Sequence, residues 1–211
     1  MLLLKGLSYY HKNSMSAYTM IIVLLFSFYE FMRNICKKYK SCGRLGGGGY
    51  IFVFLHSLFH APFSIKYHAE YDLSKKSENS KNLLRDIVTI YISHIILHVG
   101  LSYNMPWPIS SITITIFICS CFLLFEEIKM ALGRNNENKI RKISVKYSWI
   151  FFLHYIPILW NNDFKFVAIH VLVYICGFVL YTSKIIKNVY INNAIMHCGL
   201  ILNNWFAFRF V

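Results

Sequence analysis

Apolar runs separated by short polar or basic stretches set the layout of this chain. They cover residues 15–32, 50–62, 84–103, 109–132, 145–160, 164–186 and 191–211. An α-helix rises 1.5 Å per residue, so about 20 apolar residues cross the hydrocarbon core of a bilayer. Residues 50–62 fall short of that. This run is expected to begin within Gly46–Gly49 or to continue past Pro62. The pattern predicts an all-α, polytopic membrane protein with seven transmembrane helices in one bundle. Residues 1–14 are predicted to be an interfacial segment, and 15–211 a single transmembrane domain. Two prolines in Asn-Met-Pro-Trp-Pro, 104–108, predict a tight turn between the third and fourth helices. Residues 161–163 predict another after the fifth. No internal repeat is visible, and the loops are too short for a separate soluble domain.

Composition agrees with this layout. Of 211 residues, 56% are hydrophobic and only 15% charged, where a soluble domain carries about 25% charged residues. The net charge of +13 does not point to nucleic acid, because the basic residues lie in loops between apolar runs and lack aromatic interleaving. There they meet anionic headgroups and fix orientation. With seven crossings, most of the 22 Lys and Arg fall on the side of the N-terminus. Arg33, Lys37, Lys38, Lys40, Arg44, Lys165 and Arg209 fall on the other. The bias predicts a cytosolic N-terminus. Four of the six cysteines lie inside apolar runs and act as small hydrophobes. Without a CxxC pair there is no zinc ribbon or thioredoxin-like site. Cys36 and Cys42 lie in a basic loop, as free thiols or palmitoylation sites. Met1–Leu7 lacks the apolar core of a cleavable signal peptide.

The same topology gathers polar groups. The second helix ends with His56, Ser57 and His60, and His56 and His60 share a face because they are four apart. The third helix begins with Asp86, and the seventh with Asn192, Asn193 and His197. All three groups lie at one depth, on the N-terminal side. Imidazole, carboxylate and water suit Zn²⁺ or another divalent ion with one position open. Such an ion would activate water for amide or ester hydrolysis. The same residues could instead hydrogen-bond one another and hold the bundle together. His94 and His98 form a second pair on the third helix. Facing His154 or His170, they could serve as axial ligands of a haem.

These motifs resemble the hemolysin III-like proteins and the progestin and adipoQ receptors, within the superfamily that includes alkaline ceramidases. The resemblance rests on His-Ser-Leu-Phe-His at 56–60, Asp-Ile-Val-Thr-Ile-Tyr at 86–91 and Asn-Ala-Ile-Met-His at 193–197. The stretch 170–181 is also similar to the family's sixth helix, and the likeness spans roughly 45–211. It implies a seven-helix fold and a zinc ion held by His60 and His197, with Asp86 holding the reacting water. Asn193 takes the place of the family's other helix-seven His. His56 takes that of its Ser, with Ser57 one residue on. His56 is then the expected third metal ligand, and Ser57 an assisting hydrogen-bond donor. The expected activity is hydrolysis of a lipid amide or ester, or membrane lysis. The expected partners are membrane lipids and other chains in a homo- or hetero-oligomer, with no nucleic acid. Two alternatives are a non-catalytic structural subunit of a larger membrane complex and a haem-binding electron carrier.

Overall fold

The computed structural model describes the backbone of residues 2–42, 48–70, 76–132, 137–160, 164–182 and 189–211. All the regular structure in these residues is helical: α1 (Leu2–Cys42), α2 (Gly48–Ala69), α3 (Lys76–Leu101), α4 (Trp107–Leu132), α5 (Glu137–Tyr147), a 3₁₀ segment (Ser148–His154), α6 (Tyr155–Trp160), α7 (Phe164–Thr182) and α8 (Val189–Phe210). Among the described residues, four helical stretches are long and apolar enough to cross a membrane. They are Met15–Lys37 within α1, Gly48–Ala69, Asn79–Leu101 and Trp107–Met130. Large apolar side chains such as Leu25, Phe122, Leu123 and Leu172 are exposed on the outside of the bundle, as contact with lipid requires. The chain is a helical membrane protein.

The described part of every apolar run is almost wholly helical, and several helices extend further than their runs. α1 continues through the segment expected to be interfacial and through the first part of the basic loop; at 41 residues it is about 60 Å long. α2 starts at Gly48 and passes through Pro62 to Ala69. Proline removes one N–H but does not end the helix, because packing against neighbouring helices holds it. The fifth run is broken. Its middle tightens into the 3₁₀ segment, and Pro157 sits just beyond, in α6. Pro157 cannot donate to the Leu153 carbonyl as an α-helix would demand, and the main chain before it adopts tighter bonds, with Tyr155 N–H directed to Phe152 and Leu153.

α2 lies at the centre, packed mainly on α3 and α1 and also touching α8. Val53, Leu97, Leu101, Ala207 and Phe208 form one core where α2, α3 and α8 meet. Met20, Val23 and Ala61 form a second, between α1 and α2. A larger one joins α3, α4, α5 and the 3₁₀ segment around Tyr91, Phe117, Leu124 and Ile150. Two glycines bring α2 and α3 together. A Cβ on Gly100 would stand 2.7 Å from Phe52 Cβ, and one on Gly49 would stand 3.2 Å from the Gly100 carbonyl oxygen. Such close backbone approach is what small residues provide in membrane helices. Polar ties reinforce the packing. Asn204 on α8 donates at 2.8 Å to both Ser27 on α1 and Ser57 on α2, and the two serine hydroxyls are 2.9 Å apart. Tyr91 on α3 donates to the Ser144 carbonyl on α5 at 2.8 Å.

Candidate functional site

The buried face of α2 carries a ladder of polar residues, His56, His60, Ser64 and His68, at the four-residue steps of one helix face. Opposite it, α3 presents Asp86, His94 and His98, all buried. A hydrogen bond joins the two faces: His60 Nε2 lies 3.1 Å from Asp86 Oδ1. The carboxylate accepts from the ring, which fixes the tautomer and orientation of His60. Both residues open onto a cavity of about 290 Å³, lined also by His56, His94, His154, His170 and His197. Its remaining walls are mainly apolar side chains, including Ile90, Leu97, Phe151 and Ile158.

His197 reaches the cavity from α8 and is 1% exposed. Its Nδ1 is 2.7 Å from Thr19 Oγ1 on α1, and that hydroxyl donates to the Ser16 carbonyl. The ring stacks edge-on against His68 at 5.0 Å between centroids. It also stands within electrostatic reach of His60 and Asp86. Of the residues singled out from the sequence, His60, Asp86 and His197 therefore gather at one end of the cavity. His56 lines the cavity one turn away, where its ring packs edge-on against His94 at 4.7 Å and hydrogen-bonds the main chain of Ser93. Ser57 faces away from the cavity, into its contacts with Ser27 and Asn204. The side chains of Asn192 and Asn193 lie outside the described residues.

A second group of imidazoles stands at the other end of the cavity. His154 Nε2 is 2.9 Å from His94 Nδ1, and His154 Nδ1 is 3.3 Å from His98 Nδ1. The 3₁₀ segment places His154 at its last position, facing α3 between the two histidines of that helix. His170 on α7 sits against Tyr155 and Phe206 and hydrogen-bonds the Asn203 side chain.

Two contributors escape a reading of the sequence. Thr19 is one of several hydroxyls in an apolar run, and nothing local marks it. His68 is visible only once α2 is carried past Pro62, which continues the ladder from His60 by two further turns. Among the described residues, no three His, Cys, Asp or Glu side chains already surround a common point as metal ligands do. The molecule is thus defined as a helical membrane protein with a histidine-lined internal cavity. No family model, curated protein or solved structure matches it.

Proposed function

We propose that this chain is a seven-span membrane protein of hemolysin III-like type, with its N-terminus in the cytosol and a polar site that binds a transition metal, zinc first. The observation that carries the reading is the buried His60–Asp86 pair, 3.1 Å apart and open to the cavity that His197 also lines. Histidine ligands of metals commonly have their second ring nitrogen held by a carboxylate or another acceptor, which sets the tautomer and raises ligand basicity. Asp86 stands in that relation to His60, and the Thr19 hydroxyl contacts one ring nitrogen of His197. His68, packed on His197, is a third imidazole at this end of the cavity. His56 is turned to His94, so its use as a ligand requires rotation of its ring. Asp86 orients His60 and is, among the described residues, the one carboxylate lining the cavity, so it can also accept a proton from water. Ser57 acts from behind, holding α2 to α1 and α8. The mainly apolar cavity walls suit an acyl chain beside a polar scissile group, which favours a lipid amide or ester as substrate. When bound, zinc would supply a Lewis acid and an activated water.

Metal analysis of protein purified without chelator tests this. About one zinc per chain is expected for a site of this kind, with loss of most of it in both His60→Ala and His197→Ala. Zinc absent from the parent protein, or unchanged in both variants, overturns the metal assignment. Release of fatty acid from ceramides or lysophospholipids that disappears in the same variants supports the hydrolase assignment. No release by zinc-loaded protein overturns it.

A further inference from the structure

The imidazoles of His98, His154 and His94 form a chain, and their geometry differs from that of a metal site. His154 uses both ring nitrogens, Nδ1 toward His98 at 3.3 Å and Nε2 toward His94 at 2.9 Å. A ligand offers one nitrogen to the ion, and its fellow ligands point at the same spot. Here the middle ring hands a hydrogen bond on, from one neighbour to the next. One tautomer set satisfies every link: His98 donates from Nδ1 to His154 Nδ1, and His154 donates from Nε2 to His94 Nδ1. Both separations suit N–H···N bonds, the longer one being the weaker.

The chain has two distinct ends. Toward the α3–α4 turn, His98 Nε2 is buried and without a partner, and so is Ser102 Oγ just past the end of α3. Beyond Ser102 the turn reaches the surface at Tyr103 and Asn104, which are exposed. Toward the cavity, His94 meets His56, whose Nδ1 is likewise buried and unpartnered. The cavity then leads to His60 and Asp86. From Asp86 to His98 is twelve residues of α3, about 18 Å along its axis, which is more than half the thickness of a bilayer core. Among the described residues, the other titratable groups facing the trio are His56 and His60 from α2 and His170 from α7; Phe117 and Phe151 also pack on its rings. Unpartnered polar atoms in a membrane interior are costly. Here they stand at the two places where a passing proton or water would have to be received.

We infer that His98, His154 and His94 are a proton relay, connecting the α3–α4 turn with the cavity and through it with the opposite side of the membrane. A proton received at His98 Nε2 releases the one on Nδ1 to His154 Nδ1. His154 gives its Nε2 proton to His94 Nδ1, and His94 releases its own Nε2 proton to water in the cavity. One proton enters and one leaves. This leaves each ring as its other tautomer, and proton exchange with water resets the set before the next transfer. The relay is independent of the metal reading, since neither of its two links uses His60, His197 or Asp86.

The test is proton flux into vesicles of the full chain. The protein is reconstituted in liposomes holding a pH-sensitive dye, and a valinomycin-clamped potassium gradient drives protons inward. The parent protein is expected to acidify the lumen well above protein-free vesicles. His154→Phe fills the space but breaks both links, and should lose flux on the order of a hundredfold, the low end of what one positioned proton-transfer group contributes. For His154→Ala, imidazole in the buffer should restore part of the flux, which a purely structural role would not allow. Parent flux equal to that of empty vesicles overturns the relay, whether or not the variants fold. Unchanged flux in correctly folded His154→Phe overturns it as well. Zinc content and lipid hydrolysis are read on the same preparations, so failure of the relay is separable from failure of the metal site.

Discussion

Asp86 faces the cavity next to one histidine and within reach of another, so the consequences of changing it are specific. It is 7% exposed and bonded to His60 across the α2–α3 interface. Removing the carboxylate leaves a buried ring nitrogen without an acceptor. Asp86→Ala should therefore destabilise the detergent-solubilised protein by about 1–3 kcal/mol. Asp86→Asn keeps an oxygen acceptor of the same shape and should lose less. His60→Ala combined with Asp86→Ala should cost clearly less than the two single changes added together, because each already breaks the same bond. Unfolding midpoints of the four proteins decide this, and strict additivity would remove the pair from the account. This pair was legible in the sequence, since topology alone places His60 and Asp86 at one membrane depth. Ser57 shows where such reasoning stops. Depth does not specify direction around the helix, and one residue's offset, about 100°, turns its hydroxyl from the cavity to Ser27 and Asn204.

At the scale of elements, the existence of the helices could be read from the apolar runs, but their ends could not. Polar residues continue α1 and α3 beyond the hydrophobic stretches, and α2 takes up both extensions open to it, into the glycines and past Pro62. A proline ends a helix reliably in water; in a membrane interior the helix is the cheapest way to satisfy the remaining backbone groups, and it runs on. The fifth run held the converse surprise, since its hydropathy does not separate α-helix from the 3₁₀ segment that presents His154, and Pro157 is its one local mark. The α2–α3 crossing offers the sharpest test at this scale. Gly100 has no room for a side chain, whereas a Cβ on Gly199 would meet nothing within 4 Å. Gly100→Leu should force the helices apart and cost about 1–3 kcal/mol through overpacking. Gly199→Ala removes backbone freedom from an open helical position and should be neutral or stabilising by up to about 1 kcal/mol. Equal effects of the two changes on the unfolding midpoint would refute the close crossing.

For the whole molecule, the central matter is how many times the chain crosses the bilayer. Four stretches meet the requirements of length and hydropathy among the described residues. The remaining helices differ in character: α7 is strongly apolar, whereas α5 carries Lys139, Lys142 and Lys146 and leads into a bent 3₁₀ and α6 path. The cavity favours insertion of that second half, because His154 and His170 from it and His197 from α8 line the same space as His60 and Asp86. A half lying on the membrane surface could not share an interior cavity with helices that cross. Seven crossings place Lys139 and Arg209 on opposite faces, since three crossings separate them, and put Lys139 on the side of the N-terminus. Four crossings place both on one face. Lys139→Cys and Arg209→Cys, each in a chain whose native cysteines are replaced, distinguish these arrangements; both positions are exposed. In intact cells a membrane-impermeant maleimide should label Arg209→Cys at once and Lys139→Cys only after permeabilisation, given the cytosolic placement that the basic loops favour. Opposite accessibility with the sides exchanged would keep seven crossings and reverse the orientation. Equal accessibility of the two cysteines would break the seven-span bundle. It would also take His197 and the second histidine group away from the membrane interior on which both proposed activities depend.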